Sequence, residues 1–311
     1  MIGPFPKRVQ VYEVGPRDGL QNELRTLATP DKARLIEALI AAGMTRIEVT
    51  SFVSPRWIPQ LADAEKLLPL LPKSGAAFTA LVPNLKGLER AKEAGLREAA
   101  VFLSVTESHS KKNINKSVAE AIATSREVAG AARTLGMKVR CYLSTVWGCP
   151  YEGLTPVKSV VEVMKRLADL EIDQYSLGDT IGIGTPGQTA EIVGEVSKIV
   201  PLEKLALHLH DTRGTALANA LVGLSMGVTT FDSSIGGLGG CPYAPGAAGN
   251  LATEDLVFML HGMGIETGIS LEKLVNAGEL AQELIGRKLS GKYLQAALGE
   301  REKQAARARA S

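Results

Sequence analysis

The chain has 311 residues, of which 45% are hydrophobic and 22% charged, as expected for a globular protein with a sizeable core. Its formal charge of +2 gives no electrostatic reason to expect a nucleic-acid or anionic-membrane partner. Three cysteines argue against a disulfide framework, and no apolar run resembles a signal peptide or a bilayer span, so we expect a cytoplasmic protein.

Apolar segments rich in β-branched residues alternate along the chain with amphipathic segments of helical period. Strands that are buried on both faces read as nearly continuous apolar runs. We predict eight such strands, at residues 8–15, 46–51, 76–82, 99–105, 138–145, 173–179, 205–211 and 229–237. Glycines that end the preceding helices are predicted before four of them: Gly43, Gly95, Gly136 and Gly227.

Helix starts are predicted at three Thr-Pro pairs, where threonine would be the N-cap and proline the first helical residue. These pairs begin at Thr29, Thr155 and Thr185. Eight strands, each followed by a helix, favour an α/β fold of the (β/α)₈ TIM-barrel type over a doubly wound sheet. We predict a catalytic barrel domain at 1–290 with additional C-terminal helices, and a helical or frayed tail at 291–311.

Charged and metal-binding residue types gather where the predicted strands end. In barrels of this type the active site lies at the carboxyl ends of the strands. Seven residues stand there: Arg17, Asp18, Glu48, Asp179, His208, His210 and Asp232. A buried strand normally carries a carboxylate only where that group is paired or ligates a metal. The sequence therefore predicts a polar site at this rim.

The seventh predicted strand places His208 and His210 on one face, because side chains at i and i+2 point the same way. A lone histidine in an apolar strand is usually a satisfied core residue, but a pair favours a metal. Together with Asp18 and Asn250 the set has two nitrogens and two oxygens, which suits Mg²⁺ or Mn²⁺. Zn²⁺ would more often recruit a thiolate or a third histidine.

Two loops carry further candidates. The glycine-rich segment 236–250 is either a phosphate cradle or a mobile lid with Cys241 as a reactive thiol, and its lack of lysine and arginine favours the lid. Cys149 lies in a second GCPY sequence, where we expect a structural role. Lys111 and Lys112 are expected on a rim loop, either solvated or in contact with substrate phosphates.

Five segments of the chain resemble the 3-hydroxy-3-methylglutaryl-CoA (HMG-CoA) lyase family. They are EVGPRDGLQNE at 13–23, TSFVSP at 50–55, KKNIN at 111–115, SLGDTIGIGTP at 176–186 and GLGGCPYAPGAAGNLATEDLV at 237–257. The HxHD pattern is shared with isopropylmalate and homocitrate synthases and 4-hydroxy-2-oxovalerate aldolases, whereas the GGCPYA loop narrows the choice to the lyase. The resemblance implies cleavage of HMG-CoA to acetyl-CoA and acetoacetate in leucine degradation, by a homodimer.

The resemblance also implies roles for individual residues. The ligands of a divalent metal would be Asp18, His208, His210 and Asn250. Arg17 corresponds to an essential arginine and Cys241 to a catalytic cysteine of a mobile loop. Activity or loop placement would depend on Glu48, Asp179 and Glu254. Further contacts to the substrate or the loop are expected from Gln21, Arg213, Lys111 and Lys112. Asp18 and His208 are both candidates for the base.

One departure from the family pattern lies beside the histidines. Many members read HDTYGQA, whereas residues 210–216 read HDTRGTA. Arg213 would pair with Asp211 or Asp179, or contact an anionic substrate group. The acyl group could then be a longer or branched 3-hydroxyacyl thioester. The alternatives are a related acyl-CoA lyase or an aldolase for 4-hydroxy-2-oxo acids, and a silent barrel that binds an acyl-CoA or a protein partner.

Overall fold

A closed barrel of eight parallel strands forms the centre of the protein. The computed structural model describes residues 5–239 and 249–310. The barrel strands are β1 (Gln10–Glu13), β2 (Arg46–Ser51), β3 (Ala77–Leu81), β4 (Glu98–Ser104), β5 (Lys138–Ser144), β8 (Gln174–Asp179), β9 (Leu205–Leu209) and β10 (Thr230–Ser233). Strands β6 (Gly148–Cys149) and β7 (Gly153–Leu154) form a separate hairpin. The predicted barrel is confirmed, and each predicted strand overlaps an observed one.

Helices separate most of the barrel strands in sequence. They are α1 (Thr29–Ala41), α2 (Ala64–Leu67), α3 (Leu85–Glu93), α4 (Glu107–Ile114), α5 (Val118–Thr134), α6 (Val157–Leu167), α7 (Pro186–Val196), α8 (Ala216–Ser225), α9 (Thr253–Gly262), α10 (Leu271–Ile285) and α11 (Lys292–Ala310). Within the described residues, no helix combines the length and the apolar character that a membrane crossing needs.

The four predicted helix-terminating glycines all adopt the left-handed backbone conformation. Their φ angles are +104° at Gly43, +84° at Gly95, +70° at Gly136 and +98° at Gly227. At Gly43 a Cβ atom would also lie 2.4 Å from the carbonyl oxygen of Gly268. These junctions turn each helix back into the following strand, as the sequence predicted.

The prediction from the Thr-Pro pairs is right at one position and wrong at two. Thr185 caps α7, because its hydroxyl accepts the amide of Gln188 in a capping box. Thr29 instead lies inside α1, and its hydroxyl donates to Asp63 at 2.7 Å. The hydroxyl of Thr155 donates to the carbonyl of Thr145 at 2.7 Å, and α6 begins two residues later. Tertiary partners outcompete the local cap at both positions.

The C-terminal helices close over one side of the barrel mouth. Asp255 caps the start of α11, because its carboxylate accepts the amides of Lys292 at 3.1 Å and Tyr293 at 2.6 Å. The amide of Gly291 donates to the carbonyl of Gly236 at 2.8 Å. The ammonium group of Lys292 donates to Asp211 at 2.9 Å. The start of α11 is thereby tied to the rim on which the candidate residues lie.

Candidate active site

A cavity of about 710 Å³ opens at the carboxyl ends of the barrel strands. Its volume lies within the range of small-molecule sites. Five of the sequence-predicted residues line it: Arg17, Asp18, Gln21, His208 and His210. The position of the cavity matches the rule for barrel enzymes, in which loops after the strands build the site.

Asp18, His208 and His210 form a compact group of metal-binding atoms at the cavity floor. One candidate ligand atom from each residue lies within 4.8 Å of the others. The Nε2 atoms of the two histidines are 3.3 Å apart, and Nε2 of His208 is 3.8 Å from Oδ2 of Asp18. Burial, together with the neighbouring His208, lowers the pKa of His210 to about 4. The His210 ring is therefore neutral at pH 7 and retains a lone pair.

This group fits a divalent cation. The Nε2 atoms of the two histidines face each other at 3.3 Å, and a cation bound between them would accept a lone pair from each. The other ring nitrogen of His210, Nδ1, is buried and has no hydrogen-bond partner among the described residues. The amide nitrogen of Asn250 donates to Asp18 at 2.8 Å, so the fourth predicted ligand lies beside the same carboxylate. A set of imidazole and oxygen donors suits divalent ions.

Arg17 joins this group to the barrel interior. It lies with Asp18 in a π-helical turn, Gly15–Gly19, a geometry often found at functional sites. Its Nε donates to Glu48 and its Nη1 to Asp18, each at 2.6 Å. Although burial opposes the charge, the two carboxylates raise the pKa of Arg17 above its ordinary value. Nη2 has no hydrogen-bond partner among the described residues and is available to a ligand.

The same contacts keep Asp18 ionised. Burial alone would raise the pKa of Asp18, but Arg17 and the two histidines outweigh it and hold the pKa below its ordinary value. Glu48 is fully buried and also accepts the hydroxyl of Tyr142 at 3.0 Å. Glu48 therefore holds the side chain of Arg17 in place from the barrel interior.

Asp179 is placed differently from the other predicted acids. Its two oxygens accept the amides of Ile183 at 3.0 Å and Gly184 at 2.9 Å. Burial raises the pKa of Asp179 above its ordinary value. The carboxylate is bonded to the loop after β8, and its neighbours Gly178 and Thr180, but not Asp179 itself, are among the described cavity-lining residues.

Three predicted substrate contacts do not line the cavity in the described part of the chain. Lys111 and Lys112 lie on α4, and the expectation of a rim loop is wrong because this polar segment continues as helix to Ile114. The ammonium of Lys112 lies 5.6 Å from the ring centroid of Tyr151. The side chain of Arg213 donates to the carbonyls of residues 181 and 182 at 2.7 and 3.2 Å, so its expected carboxylate hydrogen bonds are not formed.

Buried acids hold the stem of the glycine-rich loop. Glu254 is fully buried and accepts the amide of Gly236 at 2.7 Å. Glu13, which the sequence analysis missed, accepts the amides of Gly15 at 2.8 Å and Ile235 at 2.9 Å. Burial raises the pKa of Glu13 to about 7 and that of Glu254 to about 8. The signal that could have identified Glu13 is a charged residue at the carboxyl end of an apolar strand, here β1.

The raised pKa of Glu254 predicts a pH-dependent contribution to stability. Between its ordinary pKa of 4.5 and about 8, the folded protein binds more protons than the unfolded chain, so this contribution falls as the pH rises. Glu254→Gln should therefore gain stability over the parent between pH 5 and 8, by on the order of 1 kcal/mol per pH unit. Urea unfolding at pH 5 and at pH 8 measures the free energy of unfolding of the parent and the variant. Glu266→Gln, at an exposed position, is the control. A difference independent of pH would contradict the prediction.

The thiols fall into two groups. Cys241, the predicted catalytic cysteine, lies outside the described residues. Cys149 is buried in the β6–β7 hairpin, where its sulfur accepts the amide of Tyr151 at 3.4 Å. Burial raises the pKa of Cys141, inside β5, to about 12, so this thiol is unreactive at neutral pH.

A polar layer beneath the site includes Arg140, which the sequence analysis missed. Arg140 pairs with Asp232, and its guanidinium lies 3.8 Å from the ring centroid of Tyr12 and 4.9 Å from that of Tyr142. A charged residue in a buried strand was the signal at both Arg140 and Asp232, as it was at Glu48.

Comparison with known proteins gives one consistent family. The family model described as HMGL-like matches residues 8–281. Mitochondrial hydroxymethylglutaryl-CoA lyase of Bos taurus is 50% identical over 296 residues, which cover 95% of this chain and 91% of the bovine protein.

Solved structures agree with the sequence relatives. The HMG-CoA lyase of Bacillus subtilis superposes with a TM-score of 0.93 at 48% identity, over 94% of this chain and 99% of that one. An Acinetobacter baumannii HMG-CoA lyase, in complex with coenzyme A and 3-methylmalate, has a TM-score of 0.89 at 37% identity, over 94% and 96% of the two chains. The chain belongs to the HMGL-like family, and within it to the hydroxymethylglutaryl-CoA lyases.

Proposed function

We infer that this protein cleaves HMG-CoA to acetyl-CoA and acetoacetate. The observation that carries the inference is the Asp18, His208 and His210 group beside the open end of Arg17, in a chain half identical to curated HMG-CoA lyases. The relative that holds coenzyme A and the short dicarboxylate 3-methylmalate supports a thioester substrate with a carboxylate-bearing acyl group.

The position of Arg213 supports the short acyl group. Its side chain is bonded to carbonyls of the neighbouring loop and is not among the described residues that line the cavity. The departure from the HDTYGQA pattern therefore changes the outer rim rather than the space beside the metal group. This favours HMG-CoA over a longer or branched thioester.

The residues proposed to hold a divalent ion, Mg²⁺ or Mn²⁺, are Asp18, His208, His210 and Asn250. Such an ion, when bound, lowers the pKa of the tertiary hydroxyl of the substrate and fixes the orientation of its oxygens. Because His210 is neutral at pH 7 and Asp18 is ionised, both offer lone pairs without first losing a proton.

The proposed reaction begins with removal of the hydroxyl proton by Asp18 or His208, both of which lie at the cavity floor. The C2–C3 bond then breaks, its electron pair passes to the thioester as the enolate of acetyl-CoA, and C3 becomes the ketone of acetoacetate. Arg17 donates from Nη2 to the thioester oxygen, where negative charge develops. Cys241 is proposed to protonate C2 from the loop.

A direct assay tests the function. Purified protein with Mg²⁺ or Mn²⁺ should release acetoacetate from HMG-CoA. EDTA should abolish turnover, because it removes the ion that Asp18, His208, His210 and Asn250 are proposed to hold. Restoring the metal should restore the rate. Folded, metal-replete protein that releases no acetoacetate would overturn the assignment.

We further propose a cytoplasmic homodimer that serves leucine degradation. The family resemblance supports the dimer and the pathway. Light scattering on the purified protein tests the dimer: a mass of one chain would exclude it, against a chain mass of 32.9 kDa.

A further inference from the structure

Asp232 lies inside the barrel, on β10, directly beneath the metal group. Its side chain is fully buried. One oxygen, Oδ2, faces Nδ1 of His208 at 3.2 Å and accepts the hydroxyl of Ser176 at 2.8 Å. The other oxygen, Oδ1, is paired with the guanidinium of Arg140. The family resemblance implies no role for Asp232 or for its partners Ser176 and Arg140.

The contact with Asp232 decides which nitrogen of His208 carries the hydrogen. A neutral imidazole has one N–H, and an ionised carboxylate can only accept. A hydrogen bond to Asp232 therefore puts the hydrogen on Nδ1 and leaves the lone pair on Nε2. Nε2 is the atom that lies 3.3 Å from Nε2 of His210 and 3.8 Å from Asp18.

Arg140 keeps Asp232 in its accepting form. The guanidinium is itself buried and lies between the rings of Tyr12 and Tyr142, so no bulk water competes for the carboxylate. A buried carboxylate that is paired with arginine stays ionised, whereas an unpaired one would be neutralised. Arg140 thus acts on His208 through Asp232, across the barrel interior.

We propose that Asp232 is a positioning residue that fixes the tautomer of His208 and thereby makes its Nε2 ready to bind a divalent metal. The inference rests on the proposed metal-dependent function and extends it to the residue behind the metal group. Histidines that ligate metals generally donate their other N–H to such a partner, and loss of the partner costs about 10- to 100-fold in metal affinity.

Asp232→Asn tests the proposal with little change of shape. The single amide oxygen will remain with Arg140, because that donor is charged, and the NH₂ group will face Ser176 and His208. Nδ1 of His208 must then accept, and its hydrogen moves to Nε2. Two-bond ¹H–¹⁵N correlation spectra of metal-free, ¹⁵N-histidine-labelled protein report the tautomer directly. We expect Nδ1–H in the parent and Nε2–H in the variant, with Mn²⁺ affinity lowered about 10- to 100-fold.

The chain supplies internal and matched controls. His261, whose ring contacts Thr267, should keep its signals in the variant. The signals of His210 should change together with those of His208, because the two Nε2 atoms lie 3.3 Å apart. Ser176→Ala removes a hydrogen bond from the same oxygen of Asp232 without reversing its polarity. It should therefore leave the tautomer unchanged and the Mn²⁺ affinity within about threefold, well short of the 10- to 100-fold expected for Asp232→Asn.

The outcomes separate this inference from the proposed function. A parent with Nε2–H on His208, or an Asp232→Asn variant with unchanged tautomer and Mn²⁺ affinity, would overturn the inference while HMG-CoA turnover still stood. If Asp232→Asn does not fold, the tautomer of the parent decides. A parent that shows Nδ1–H but binds no Mn²⁺ and releases no acetoacetate would overturn the proposed function, and with it the effect on metal affinity.

Discussion

Arg17→Gln should lower kcat for HMG-CoA cleavage by about 10²- to 10³-fold, with a smaller change in KM. The reason is that Nη2 of Arg17 is proposed to donate to the thioester oxygen, where negative charge develops only as the C2–C3 bond breaks. Steady-state assays at saturating Mn²⁺ measure both constants. A rise in KM with kcat unchanged would mean that Arg17 binds the ground state and the transition state equally and does not act selectively on the transition state.

The control for this variant follows from the pairing of Arg17 with Glu48. Removing one partner of a buried ion pair costs about 3–5 kcal/mol, so Arg17→Gln alone is expected to be less stable. The double variant Arg17→Gln with Glu48→Gln should recover part of that stability and none of the activity. If activity returned with stability, the loss in the single variant would have been one of folding.

His210→Ala should abolish metal-dependent turnover at the Mn²⁺ concentration that saturates the parent. It removes a proposed ligand, so the loss in Mn²⁺ affinity should exceed the 10- to 100-fold expected for an outer partner such as Asp232. Isothermal titration with Mn²⁺ and acetoacetate release measure the two effects. Because His210 is buried, we also expect His210→Ala to lower the free energy of unfolding modestly. Urea unfolding measures that loss separately from the loss of metal affinity.

A matched histidine makes this test specific. His261 lies on an exposed surface of α9, where its ring contacts Thr267 at 2.9 Å, and it is not among the described residues that line the cavity. His261→Ala should leave Mn²⁺ affinity and turnover at the parent values. A His210→Ala variant that binds Mn²⁺ as tightly as His261→Ala would remove His210 from the proposed metal site.

The barrel was predictable because its signals are local. Apolar runs bounded by Gly43 and Gly136 report strands and left-handed helix ends directly, since both depend on residues close in sequence. The Thr-Pro pairs failed at Thr29 and Thr155 because a hydroxyl can also bond to a residue far along the chain. No local pattern reveals that competition.

The sequence predicts only those residues of the site that lie at the ends of strands. His208 and His210 share a face of a strand, so their proximity follows from sequence. Tyr142 and Asp232, in contrast, act through neighbours on other strands, and the register between strands decides which residues meet. Arg213 was misplaced because a charged side chain at the rim has several partners within reach. Lys111 and Lys112 were misplaced because their segment continues as the helix α4.

The hydrogen bonds that complete the barrel mouth have a consequence for the synthesis of the chain. Asp18 and Asn250 are 232 residues apart, and Glu13 and Thr253 are 240 residues apart. Strand β1 lies between β2 and β10, so this seam of the barrel cannot close until β10 has left the ribosome. Contacts of such separation form slowly and leave strand edges unpaired meanwhile. The nascent chain must therefore hold its first strand available until the segment around Asn250 and Thr253 has been made, and only then do the residues of the proposed site come together.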